Sequence, residues 1–514
     1  MIFIQRGILH ISFLFFISLF QTECIAQTFD STAFKYASFI DKNRLKKHLE
    51  IFVSDSLEGR ETSSIGFLKS ANYVSYIYDS LNFPVMVKGS YFQEIPLVKI
   101  RNSPKRIKTG KKDYTDLLDF FSYGGFGEVD LVDKEIAFVG YGIEDSVWNS
   151  YNTVDVSGKV VLFLEGTPST KRKIQPISVK FNGSAGIKKK LKIAKKKNAI
   201  AALIVIKDFQ KSNQYAKKVI DKEKLMYLEG ERDFPFFYIN EEMANELLNT
   251  NRYSVNKFTK KIYKKGAPIS FNTSESINIS STDSGNNLKC RNILGYLEGK
   301  NDQQEVIIVS AHLDHLGLHD GKMYRGADDN ASGCAAVLNI AEAFSRASNE
   351  GFRPKRSILF LLVSGEENGL LGSKYYTNNP VFPLENTIAN LNIDMVGRTD
   401  TVHIKGDEYI YIIGSDRISP ILHETNDKAN SNYVHLNLDY TYNDAKHPLK
   451  LYRRSDHYNF VKKGIPVIFY FSGLHEDYHE PGDTKDKIEY ELLEKRTKLV
   501  FHTLWELANS EEKL

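Results

Sequence analysis

The spacing of apolar residues changes texture along the chain. Leu45 to Val53 reads as a helix, then the polar stretch SDSLEGRETSSIGF intervenes. A second helical pattern follows in SANYVSYIYDSLNF, where Ala71, Val74, Ile77, Tyr78 and Leu81 recur at steps of three and four. From about Phe121 the runs become short and strand-like: EIAFVGYGI, GKVVLFLEG, AIAALIVIKD and FPFFYI. Between the second and third lies GIKKKLKIAKKKNA, whose Ile187, Leu191 and Ala194 share a helical face; its lysines predict a solvated basic face rather than an anionic partner site.

From Asn292 onward strands and helices alternate: VIIVSAH, GCAAVLNIAEAF, SILFLLVSG, GLLGSKYY, IANLNID and IPVIFYF, with a last helix from about Lys487 to Ala508. Continuous apolar runs each followed by a helix imply strands buried on both faces. The expected fold is α/β: a largely parallel mixed sheet flanked by helices, carrying an inserted smaller α/β domain. The expected boundaries are a leader at 1–26, the first part of the main domain at 27–120, the insertion at 121–280 and the main domain again at 281–514. YKKGAPISFNTSESINISSTDSGNN and the region around RIKTGKKDYTD read as linkers. There is no internal repeat.

Residues 1–26 combine Arg6, an apolar stretch from Ile8 to Phe20 and small residues at Cys24 and Ala26. This is the layout of a secretory signal cut after Ala26, and its apolar stretch is short of the roughly 20 residues of a spanning helix. A secreted or periplasmic protein with no retained membrane span is expected. The balance of 68 Lys and Arg against 64 Asp and Glu leaves a formal charge of +4, too small to argue for a nucleic-acid partner. Beyond the leader only Cys290 and Cys334 remain, which read as buried small hydrophobes rather than a disulfide framework. Oligomeric state is not set by any of these features.

In an open α/β sheet ligands collect outside the carboxyl ends of the strands. There this sequence places His312, Asp314 and His315; Asp328 and Asp329; Glu366 and Glu367; Asp394; and His475, His479 and Asp483. So many carboxylates at one edge repel unless divalent cations neutralise them. Imidazole and carboxylate donors without thiolate fit catalytic zinc, and a paired site requires one carboxylate that bridges both ions.

HLDHLG, GADDNASG, SGEENG, NIDMVG and YRRSDHYNF followed by GIPVIFYFSGLHEDYHEPGDT, in that order, resemble the zinc-dependent exopeptidases of the M28 aminopeptidase family. SDSLEGRETSSIGFLKSANYVSYIYDSL is similar to that family's opening segment. FVGYGIEDSVWNSYNTVDVSGKVVLFLEG with AALIVI resembles the protease-associated (PA) domain that many members carry as an insertion. The resemblance implies two zinc ions per chain: His312 and Asp394 on one, Glu367 and His479 on the other, and Asp328 bridging them, with a cis peptide between Asp328 and Asp329. It implies that Asp314 orients the His312 imidazole, that Tyr452 helps hold the developing oxyanion, and that Asp456 and His457 support the site. Glu366 would be the general base for a water that attacks the bond after the N-terminal residue of a peptide. A glutaminyl cyclase, a carboxypeptidase or dipeptidase using Arg325, Arg398, Arg453 or Arg454, and a non-catalytic receptor-like binding protein are the competing readings.

Overall fold

The computed structural model describes residues 29–100, 105–122, 128–171, 179–220, 224–227, 234–248, 254–282, 286–301, 304–512 and 514. The leader at 1–26 lies outside the described residues. The apolar runs of the second half build a nine-stranded sheet: β1 (Phe92–Ile100), β2 (Lys224–Tyr227), β3 (Asn286–Leu297), β4 (Val306–His312), β5 (Ser357–Val363), β6 (Thr387–Ile393), β7 (Tyr409–Ile413), β8 (Asn437–Asp439) and β9 (Val467–Phe471). The order across the sheet is β8-β7-β9-β6-β4-β5-β3-β1-β2. β5, β4, β6 and β9 run parallel in the centre, while β3, β1 and β2 continue antiparallel on one side. Every residue of β4, β5 and β9 is buried, as expected of strands covered on both faces.

One face carries the helices Lys42–Phe52, Ile65–Ser80, Gly333–Asn349 and Tyr490–Asn509, packed on Ile307, Val309 and Ala311. The other carries Leu371–Asn378 and His457–Val461, whose Tyr376 and Phe460 meet Val306, Ile308, Leu359 and Leu361. From β4 the chain crosses to β5 on one side and then returns to β6 on the other. β4 is therefore the place where strand order reverses, and the crevice outside its carboxyl end is the natural ligand site. Among the described residues no helix is long and apolar enough to cross a membrane.

A second sheet of eight strands draws on Lys105 to Ser281, so it starts ahead of residue 121. Its two faces are covered by different helices, Gly183–Lys196 and Phe209–Ile220 on one and Glu241–Leu248 and Val255–Lys265 on the other. Both stretches read as linkers are strands in part. Phe271–Ser281 pairs with Val129–Phe138 and with Lys105–Lys108, and Lys108 in turn pairs with Asp113. The Ser- and Asn-rich run hides a period of two, with Ile277, Ile279 and Ser281 inward and polar residues between them. The lysine-rich helix also departs from a uniformly solvated face: Lys190 is fully buried and donates to the carbonyls of Leu164 and Gly166.

Candidate metal centre

His312 is the last residue of β4, Glu366 and Glu367 follow β5, and Asp394 follows β6. His475 and His479 lie in the loop after β9, and Asp328 and Asp329 in the irregular turn Ala327–Ser332 that leads into the helix Gly333–Asn349. The turn passes close over His315, and only glycine fits at its start. Gly326 has φ +57, and a Cβ there would stand 2.0 Å from the Asp329 carbonyl and 2.5 Å from the His315 ring.

Asp329 is the carboxylate at the centre. Its Oδ1 lies 3.2 Å from His312 Nε2, which is also 3.2 Å from Asp394 Oδ1. Its Oδ2 lies 3.2 Å from His479 Nε2, which is in turn 3.2 Å from Glu367 Oε2. A tetrahedral zinc with bonds of about 2.0–2.1 Å holds its donor atoms about 3.3 Å apart, so each group has the edge length such an ion needs. The donor set, nitrogen and carboxylate oxygen without thiolate, fits zinc as well. His315 stands beside the second group, with Nδ1 on the other oxygen of Glu367 at 2.9 Å and 3.9 Å from Asp329 Oδ2.

Asp328, expected to bridge, is turned away. Its carboxylate accepts from the Gly397 amide at 2.6 Å and faces His475 Nε2 at 3.4 Å, on the far side of the turn from His312. The cis peptide is Asp329–Asn330, not Asp328–Asp329. Asp483 fixes the turn by accepting from the amides of Asp328 at 3.0 Å and Asp329 at 3.1 Å. The side chains of adjacent residues diverge, so one residue of register decides which carboxylate enters the cleft.

Two further expectations are corrected. His312 Nδ1 donates to the backbone carbonyl of Asp314 at 3.0 Å rather than to its carboxylate. That carboxylate instead accepts from the Glu366 amide at 3.2 Å and from the Thr62 hydroxyl at 2.8 Å, so it positions the glutamate loop. Tyr452 packs against the cluster of Met395, Leu451, Phe469 and Phe471 without lining the pocket itself, and the Arg417 guanidinium lies 3.7 Å from its ring centroid. The tyrosine that lines the cleft is Tyr478, stacked on His479 with centroids 3.9 Å apart. Of the supporting residues, Asp456 accepts from the Ser373 hydroxyl and His457 meets the Tyr452 carbonyl, while neighbouring Ser455 donates to Asp394 Oδ2 at 2.7 Å.

The electrostatics are those of a cation site. Burial would lower the His312 pKa, yet Asp394 and Asp329 hold it well above the ordinary value. For His479 burial is likewise outweighed by Asp329 and Glu367, which push it up to about 10. The Glu366 carboxyl is raised well above its usual range by burial, against His312 and with help from Glu367, Asp456 and Asp394. Cations among these groups would draw Glu366 back toward the carboxylate form.

Beside the donors the cleft continues into a small pocket of about 30 Å³ lined by Met395, Leu451, Phe469, Phe471, Leu474 and Tyr478, with Arg454 also on its wall. Met395 and His479 both hold positive φ, 55° and 59°, at the two sides of this cleft. Arg60, in the opening segment, is fully buried and donates to the carbonyls of Leu313 at 2.9 Å, Phe52 at 2.6 Å, Arg325 at 2.8 Å and Gly326 at 3.1 Å. It thereby ties the loop after β4 to the loop that carries Asp329. Sequence reasoning gave no role to Arg60, Thr62, Ser455 or Tyr478. Only Tyr478, adjacent to an expected ligand, carried a signal that could have found it.

Residues 292–504 match peptidase family M28. A probable leucine aminopeptidase of Arthroderma otae is 30% identical over 224 residues, 42% of this chain and 57% of that protein. The aminopeptidase YwaD of Bacillus subtilis is 28% identical over 235 residues, 44% of this chain and 47% of that protein. These alignments cover about half the length of the curated relatives. Among solved structures, the aminopeptidase from Aneurinibacillus sp. strain AM-1 shares the fold across 94% of this chain and 97% of its own, with a TM-score of 0.50 and 19% identity. The segment that matches peptidase family M28, residues 292–504, holds His312, Asp329, Glu366, Glu367, Asp394 and His479.

Proposed function

We propose that the chain is an exported zinc aminopeptidase that removes N-terminal residues from peptides at a site for two zinc ions. The observation that carries this reading is the placement of Asp329, one oxygen toward His312 and Asp394 and the other toward Glu367 and His479. His312 and Asp394 would hold one ion and Glu367 and His479 the other, with Asp329 serving both. His315 keeps the second oxygen of Glu367 and so fixes the rotation of that carboxylate.

Bound there, the ions would polarise the scissile carbonyl and acidify the attacking water. Glu366 lines the cleft beside His312, Asp329 and Asp394 and acts as the general base. Its carboxylate takes one proton from the water whose oxygen adds to the carbonyl carbon. As the C–N bond breaks, it passes that proton to the leaving amine. Tyr478, its hydroxyl kept protonated by burial and by Asp329 and Glu367, donates to the oxygen on which negative charge develops. The pocket beyond takes the side chain of the N-terminal residue. Five donors, with Asp329 in place of Asp328, and a base converge in the cleft, which favours an enzyme over a receptor-like relative.

The second sheet, with its parallel strands Val160–Leu164 and Ala201–Val205, forms a PA-like module that shapes access to the cleft. The leader at 1–26 directs export. Treatment with a chelator followed by desalting is expected to abolish hydrolysis of aminoacyl anilides, and added zinc to restore it. Full activity in verified metal-free protein would overturn the metal-dependent mechanism.

A further inference from the structure

Of the four arginines that could meet a substrate, three are engaged elsewhere. Arg325 pairs with Asp55 at 2.7 Å. Arg398 is buried and bonded to His475, Asp477 and Glu476. Arg453 lies over the Tyr458 ring, 5.9 Å from its centroid. Arg454 is exposed, yet it lines the same pocket as Glu366, Asp394, Phe469 and Tyr478. Among the described residues no carboxylate lies within ion-pair distance of its guanidinium. Its charge reaches Tyr478, opposing the upward shift of that hydroxyl.

Asp329, Glu366 and Asp394 line the same pocket and repel an anionic substrate group. A guanidinium on the same lining offsets that repulsion and presents a planar pair of donors that fits a carboxylate. Other than His312, it is the only basic side chain on the pocket lining.

We propose that Arg454 reads a carboxylate of the substrate. The chain then favours substrates that carry one next to the cleaved bond, either on the side chain of an N-terminal glutamate or aspartate or as the terminal carboxylate of a dipeptide. This inference rests on the aminopeptidase reading of the site.

The test compares zinc-loaded wild type with Arg454→Gln on the 4-nitroanilides of glutamate and leucine, and on Leu-Gly against Leu-Gly amide. The expected result is a fall in kcat/KM of about tenfold or more for the carboxylate-bearing member of one pair, with its partner within about twofold. A fall confined to the glutamate anilide assigns the side chain, and one confined to Leu-Gly assigns the terminus. Equal changes on all four substrates, or no change, would overturn the proposal. Calorimetric binding of glutamate and leucine, and of Leu-Gly and its amide, to zinc-loaded Glu366→Gln and to Glu366→Gln/Arg454→Gln gives a readout without turnover. Loss of the carboxylate preference in Kd on removing Arg454 supports the proposal, and unchanged Kd ratios refute it, even if wild type hydrolyses none of the four substrates. Absence of hydrolysis would count against the aminopeptidase reading alone.

Discussion

Asp328 and Asp329 are neighbours with opposite surroundings. Asp329 stands between two imidazoles on the cleft side, while Asp328 is held by the Gly397 amide and His475. Asp329→Asn is therefore expected to remove most of the bound metal, measured as zinc per chain after desalting, whereas Asp328→Asn should keep at least half of it. Equal loss in both variants would contradict the assignment of Asp329 as the bridge. The sequence could not decide between them, because GADDNASG offers two carboxylates and the choice depends on an irregular turn fixed from afar by Asp483. His312, Glu366, Glu367, Asp394 and His479 were legible, since each follows a strand whose apolar run marks its end. Asp314 and Tyr452 were misread for a related reason: a motif gives proximity along the chain, but not which atom, backbone carbonyl or carboxylate, points at the imidazole.

At the scale of elements, the central parallel strands were plain in the sequence because both of their faces are buried. Phe271–Ser281 was not, since only one face is covered and its outward residues are Ser, Asn and Glu. β7 and the edge strand β8 were missed as well; β8 is three residues long and carries little pattern. The opening segment matters more than its polarity suggested. Arg60→Met would leave the buried carbonyls of Leu313 and Phe52 without donors, at about 1–3 kcal/mol each. A loss of about 3 kcal/mol or more is expected in urea unfolding at unchanged slope, together with weaker zinc retention. A loss under about 1 kcal/mol would show that the loops do not depend on this side chain.

Lys190 supplies a pH signature in the second sheet. Burial pulls its pKa down from 10.5 to about 7, with Glu165 opposing. The unfolded chain keeps this proton to a higher pH than the folded one, so the unfolded state binds more protons between those values. Stability from this group is complete above the unfolded value, is lost as pH falls toward about 7, and is flat below. From pH 7 to 9 the gain should be about 2 kcal/mol, and Lys190→Met should flatten that rise in denaturant titrations at several pH values. A rise of the same size in the variant would assign it to other groups.

At the scale of the molecule, the two sheets are joined by more than chain connectivity. β2, an excursion from the second sheet, adds to the edge of the main sheet beside β1. Its Tyr227 donates to the Leu371 carbonyl at 2.6 Å, at the start of the helix that follows the paired glutamates. The inserted module is thereby fastened next to the loop that carries the proposed base. Carboxylates gathered from five segments of the main sheet converge there, and the proposed chemistry requires cations to neutralise them.

The most direct measurement determines zinc per chain and kcat for an aminoacyl anilide on the same samples of wild type and Glu366→Gln. Two ions per chain are expected in both proteins, with a kcat lower by about 10²- to 10⁴-fold in the variant. Undiminished hydrolysis by Glu366→Gln, or one ion per chain in fully active wild type, would contradict this expectation.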